Sequence, residues 1–137
     1  MTSLQAICAK IYLFDKQKFE PNNKKFTNVT ARLYYIKFIN KKQNYCLYKL
    51  GFTQRTVAAR LNEFVIPDFN IEIIQICQIN KPKIAYSIEQ FIHKENRKYK
   101  YTGSLLLEYG NGNSEVYSRD ILFLDGINNG FIGKFKV

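Results

Sequence analysis

Four side chains scattered along the chain are of the types needed to hydrolyse a phosphate ester: Tyr34, Lys49, Arg60 and Glu89. Such a reaction needs an activated water, positive charge at the scissile phosphate and help for the leaving oxygen. A tyrosine can take a proton from water, but a free phenol titrates near about 10 and needs a neighbouring cation to do so at neutral pH. Lys49 is the candidate for that cation. A guanidinium such as Arg60 binds two-pronged to phosphate oxygens. Glu89 can hold one Mg²⁺, which keeps several waters and commonly takes only one or two protein carboxylates. Each residue also has a plainer reading. Glu89 could be an exposed helix carboxylate paired with His93 or Arg97, and Arg60 a surface cation paired with Glu63. Tyr34 could be a core aromatic and Lys49 a solvated strand residue.

The elements that must position these groups follow from local pattern. Ala31–Ile39 is rich in aromatic and β-branched residues and predicts a strand. The turn residues Asn40–Asn44 and a second strand, Tyr45–Phe52, complete a β-hairpin. Val57, Leu61 and Phe64 share one face of a helix over 56–65, capped by Thr53 or Thr56 and stopped by Pro67. A third strand follows over Ile71–Ile79. Pro82 opens a helix reaching about Tyr99, with Ala85, Ile88, Phe91 and Ile92 inward and Glu89, His93, Asn96 and Arg97 on the opposite stripe. Weak alternation over Ala6–Phe14 favours another strand, and 16–25 reads as a loop. In the tail, Leu105–Leu107 and Ile121–Leu124 read as strands, separated by the Gly110–Asn113 turn and the 114–117 segment, and 128–130 reads as a turn. The whole predicts an α+β fold, a small sandwich with a central, mostly antiparallel sheet flanked by helices.

The chain has 137 residues, the length of a single domain. A domain of this size buries about two-thirds of its unfolded surface and needs neither disulfide nor structural metal. Cys8, Cys46 and Cys77 show no paired spacing and read as reduced thiols in a reducing compartment, cytoplasmic or nuclear. No basic leader with a cleavage site is visible, and no apolar run is long enough to span a bilayer. Net charge is +10, with ten Tyr and eleven Phe, the footprint of a polyanion binder. Lys94, Arg97, Lys98 and Lys100, interleaved with Tyr99 and Tyr101, would meet a nucleic-acid backbone with salt-dependent, largely sequence-independent affinity.

Taken together, these motifs resemble the GIY-YIG nuclease superfamily, in particular the branch whose second motif begins with Lys. The first motif maps onto Arg32-Leu33-Tyr34 and continues through Tyr35-Ile36-Lys37. The second maps onto Lys49-Leu50-Gly51. Arg60-Leu61 matches the Arg-Leu pair opening the family's first helix, and 85–93 matches its second helix with a single metal-binding Glu, here Glu89. His93 and the Glu115-Val116-Tyr117 segment resemble later features of that branch. The motif-bearing core is about 31–118, with 1–30 and 119–137 as extensions of one domain. Arg32 departs from the usual Gly, the hairpin is longer than usual, and Phe52 replaces a polar or basic residue in some members. Tyr34 is chosen by the Tyr-x-Ile pattern; Tyr35 is the alternative, one residue away and on the other face.

The resemblance implies a Mg²⁺- or Mn²⁺-dependent DNA endonuclease acting on double-stranded DNA. Tyr34, Lys49, Arg60 and Glu89 would be its catalytic groups, with Glu89 on the metal. Gly51, His93 and Glu115 take secondary places, Gly51 by letting backbone approach the phosphate or by marking a strand end. Cutting both strands would favour a homodimer. The rival readings are a non-catalytic nucleic-acid-binding module on the same fold and a protein-interaction domain for an acidic partner.

Overall fold

The run ARLYYIKFIN forms strand β1 (Ala31–Asn40), and YCLYKLGFT forms β2 (Tyr45–Thr53). Their turn ends at Asn44 with a φ of 57°, a left-handed conformation that Asn tolerates better than most residues. The hairpin register sets Tyr34 opposite Gly51, Ile36 opposite Lys49 and Phe38 opposite Leu47. Strand β3 (Phe69–Ile79) pairs antiparallel with the other edge of β1, and the register shifts between Tyr35 and Ile36. A two-residue strand β4 (Val116–Tyr117) adds to β2, and β5 (Phe131–Phe135) lies parallel to β3, giving the order β4-β2-β1-β3-β5. The sheet is mostly antiparallel, with helices on both faces, as the pattern of elements predicts. The computed structural model describes residues 2–14, 30–63, 68–102 and 116–137.

Alternation divides the sheet's side chains between two cores. Leu33, Tyr35, Leu50, Cys77 and Ile79 pack with helix α1 (Leu4–Phe14), helix α3 (Pro82–Glu95) and the tail residues Ile121, Leu122 and Leu124. Tyr34, Ile36, Phe38, Leu47 and Ile76 pack with Val57 and Leu61 of the short helix α2 (Val57–Leu61). Thr56 caps α2, its hydroxyl accepting from the Ala59 N–H at 3.2 Å. The helix ends at Leu61, short of the expected 65; Pro67 lies outside the described residues. α3 begins with Pro82 in its first turn and ends at Glu95, before a 3₁₀ turn over Arg97–Tyr99. The break comes where the Asn96 side-chain amide donates to the Ile92 carbonyl at 2.8 Å, satisfying one of the helix's terminal acceptors.

Two local expectations are corrected. Ala6–Phe14 is part of α1, not a strand. Leu4 and Ser3 decide it. With Leu4 included, the inward residues are Leu4, Ile7, Cys8, Ile11 and Tyr12, a helical spacing that outcompetes the weak alternation. Ser3 caps the helix through its hydroxyl on the Ala6 N–H at 3.0 Å. Ile121–Leu124 is also not a strand. Asp120 gathers the N–H groups of Leu124 (3.3 Å) and Asp125 (2.9 Å) onto its carboxylate. Ile121, Leu122 and Leu124 are thereby turned inward while Phe123 takes a φ of 57° and stays exposed. The 128–130 turn is present, with Asn128 at φ 49° and Gly130 at φ 91°. The Leu105–Leu107 strand, the Gly110–Asn113 turn and the 16–25 loop fall outside the described residues.

The same tail is stitched to the sheet by carboxylates. Asp125 accepts from Lys37 Nζ and from the Tyr48 hydroxyl, both at 2.8 Å. Burial alone would raise the Asp125 carboxyl, but these two hydrogen bonds outweigh it and hold the group below the ordinary aspartate range. A carboxyl depressed in the folded state stabilises the fold fully above its unfolded value, about 3.9, and that contribution is lost as pH falls through the folded value. Asp125→Asn should cost about 1–2 kcal/mol at neutral pH. It should also flatten the acid side of the stability profile, read by urea denaturation across a pH series; an unchanged acid limb would show that Asp125 is not the group responsible.

Candidate active site

Tyr34 lies fully buried across β2 rather than beside it. A Cβ placed on Gly51 would overlap Cζ and Oη of Tyr34 and stand 2.6 Å from its Cε2. Gly51 is therefore neither a strand end nor an open approach to ligand; its missing side chain is the space the Tyr34 ring occupies. The ring's hydroxyl reaches the edge of α2, where Arg60 Nε donates to it at 3.3 Å. The same guanidinium pairs through Nη1 with the Glu63 carboxylate, which Arg55 also holds at 2.5 Å. Arg60 thus makes the surface pair weighed from sequence and also a link to Tyr34 that sequence did not suggest, where Lys49 was the expected cation.

The neighbouring tyrosine is excluded from this arrangement. Tyr35 points to the other core and donates to Asp120 at 2.6 Å. Burial, with the hydrogen bond to Asp120 added, pushes its phenol far above the ordinary range. Register decides between the two: only Tyr34 stands opposite Gly51 and shares a hydrogen bond with Arg60.

Lys49 and Glu89 are the two fully buried charged side chains among the described residues, at 0% and 1% exposure. Neither side chain is exposed as its plain reading requires, although Glu89 does stand within ion-pair distance of His93. Lys49 is not a solvated strand residue and Glu89 is not an exposed helix carboxylate. Lys49 stands opposite Ile36 on one side and Val116 on the other, on the face Tyr34 uses. Glu89 sits on α3, which packs on β1 and β2. Burying either ion by itself would cost several kcal/mol. Gln90 was not singled out from sequence. Its amide donates to Glu89 Oε1 at 3.0 Å, and adjacency along the chain was the available signal.

On the α3 side the chain assembles a second group. Glu89 Oε2 stands 3.7 Å from His93 Nε2, beyond hydrogen-bond reach. His93 Nδ1 bonds the Tyr117 hydroxyl at 2.6 Å, and the two rings stack with centroids 5.7 Å apart. Gln90, His93, Lys94, Arg97, Lys100 and Tyr117 line a cleft of about 410 Å³. Lys98, grouped with those lysines by sequence, does not join them; its ammonium lies 5.0 Å over the Tyr99 ring, which Arg119 faces at 4.2 Å. Glu115 lies outside the described residues.

Among the described residues, no cluster of three or more His, Cys, Asp or Glu side chains could cage a metal ion. That donor set does not suit Zn²⁺. A hydrated Mg²⁺ or Mn²⁺ needs fewer protein ligands, commonly one or two carboxylates, and the carboxylate expected from sequence to serve it, Glu89, is 1% exposed. No helix among the described residues is long and apolar enough to cross a membrane. A family model described as the T5orf172 domain matches residues 32–117. No curated protein and no solved structure matches the chain.

The fit of Tyr34 over Gly51 makes a direct prediction. Gly51→Ala should destabilise the fold by about 1–3 kcal/mol, as overpacking does, and the loss should shrink in a Tyr34→Ala background. A double-mutant cycle of urea midpoints measures this. Additive losses would mean that the two residues do not share the space.

Proposed function

The chain belongs to the T5orf172 domain family, and from that premise we propose that it is a GIY-YIG-type endonuclease that hydrolyses phosphodiester bonds in double-stranded DNA with Mg²⁺ or Mn²⁺. The family is associated with nuclease-like and nucleic-acid-binding functions. The observation that carries the reading is the hydrogen bond from Arg60 Nε to the Tyr34 hydroxyl. In this reading Arg60 orients the Tyr34 hydroxyl, which takes the proton of the attacking water. Lys49, on the same face of the hairpin, adds a second positive charge on that side. Arg60 also meets the substrate: its side chain is 27% exposed, and the Glu63 carboxylate occupies the position a phosphate oxygen would take. Binding exchanges that exposed carboxylate for the phosphate, at little cost because surface pairs are weak.

Glu89 would hold the Mg²⁺, which when bound supplies positive charge to the phosphate and the leaving oxygen. Buried in α3 and hydrogen-bonded by Gln90, the carboxylate has few alternative positions. A second reading, nucleic-acid binding without cleavage, draws on the seclusion of Glu89, which is 1% exposed and does not line the basic cleft.

The two readings separate in a supercoiled-plasmid assay with and without divalent metal. Wild type should nick or linearise plasmid only with Mg²⁺ or Mn²⁺. Arg60→Ala and the near-isosteric Glu89→Gln should each lose at least about 100-fold in rate while keeping the wild-type circular dichroism spectrum. Cleavage by Glu89→Gln at the wild-type rate would reject the catalytic assignment. Binding without any cleavage would favour the second reading. Sedimentation with and without DNA tests whether two copies assemble to cut both strands.

A further inference from the structure

Beside Glu89, the cleft under the end of α3 has a composition that the hydrolytic chemistry does not require. Lys94, Arg97 and Lys100 supply three cations, Gln90, His93 and Tyr117 supply polar groups, and no carboxylate is among the residues lining it. A helix carboxyl end attracts cations by itself, which accounts for Lys94. It does not account for Lys100, which follows the 3₁₀ turn on extended backbone with a ψ of 136°. Lys100 is held opposite Tyr117 by an isolated β-bridge. Flanking bonds pin it there, from Tyr101 N to the Val116 carbonyl (2.8 Å) and from Ser118 N to the Tyr99 carbonyl (3.1 Å). Three backbone segments therefore converge on one concave spot: the last turns of α3, the 3₁₀ turn with the residue after it, and β4. The His93–Tyr117 pair is built into the wall rather than free to turn, since the hydroxyl holds Nδ1 and the rings stack. Lys98 belongs to the same basic run in sequence but is drawn to the Tyr99 ring instead.

We propose that this cleft is a phosphate-binding subsite, separate from the Arg60–Tyr34 pair, that grips a second phosphate of the nucleic acid. The inference rests on the nucleic-acid reading above but not on cleavage. The ligand's shared chemistry is a phosphate oxyanion, either an internal phosphodiester or a terminal phosphomonoester. A cleft with three convergent cations suits the doubly charged end as well as the singly charged backbone.

The test is fluorescence anisotropy of a short labelled duplex, in EDTA so that no cleavage occurs, across a salt series. Each phosphate contact contributes about 0.9 to the slope of log affinity against log salt. Arg97→Ala and Lys100→Ala should each weaken binding and lower that slope by about 1, and Lys94→Ala should act in the same direction. Lys98→Ala, removing the same charge from the same run, should leave the slope unchanged. All these side chains are exposed, and thermal melts confirm that the variants fold. Paired duplexes with and without 5′-phosphates separate the two sources: a preference for phosphorylated ends that Arg97→Ala abolishes assigns the terminal group, and equal binding assigns the backbone. Equal slope losses for Lys98→Ala and Arg97→Ala, or none for any variant, would overturn the subsite and leave a diffuse basic surface. No wild-type binding at low salt would instead sink the nucleic-acid reading itself.

Discussion

The register between β1 and β2 is the constraint on which the candidate site depends. A slip of β1 by one residue would exchange its two faces. It would send Tyr34 to the Asp120 side and remove it from Arg60. Gly51 enforces the observed register sterically, because the Tyr34 ring fits over β2 only at the residue without a side chain. The opposite face enforces it chemically: Tyr35, Lys37 and Tyr48 all find tail carboxylates there. Two independent sets of interactions, one of shape and one of charge, therefore agree on one alignment, and such agreement marks a sequence that specifies a single structure.

Charge burial is the second theme. Among the described residues most cations lie at the surface, yet Lys49 and the carboxylate of Glu89 are enclosed. Replacing such ions by apolar residues is often neutral or stabilising, so stability alone is a weak reason to retain them. Charged groups held in desolvated, packed positions are characteristic of sites that must present charge in a fixed geometry. The exposed Arg60–Glu63 pair is the contrasting case, a solvent-screened contact that a stronger anion can displace.

The tail after β4 has little regular structure before β5, yet it is part of the core. Asp120 and Asp125 fasten it to the sheet, and Gln75 links the start of α1 to the tail through Leu4 N (2.8 Å) and the Ile127 carbonyl (2.7 Å). Buried at 1% exposure, that one amide spans three segments distant in sequence. The side of the sheet away from α2 is thus closed by polar cross-links as well as by apolar packing, leaving the α2 side to carry Tyr34 and Arg60.

Strand and helix identity was legible in the chain wherever the apolar period was strong. The hairpin, β3, helices α2 and α3, Thr56 as a cap and Pro82 as a helix start are local matters, set by side-chain alternation, capping oxygens and backbone restriction. Candidate chemistry was legible too, because Tyr, Lys, Arg and Glu can be recognised by type and order. Local pattern failed where the deciding partner was remote. α1 is a helix because Leu4 and Cys8 reach a core made by β3 and α3, and 121–124 curls because Asp120, which collects its amides, is itself held by the Tyr35 hydroxyl of β1. Tertiary structure fixed the choice of Tyr34 over Tyr35, which the Tyr-x-Ile pattern favoured without deciding, and gave Gly51 its purpose. It also buried Lys49 and Glu89 and withdrew Lys98 from the basic cleft. The physical reason is common to all of these: burial and hydrogen-bond partnership are properties of the assembled sheet, and no residue's own neighbours in sequence determine them.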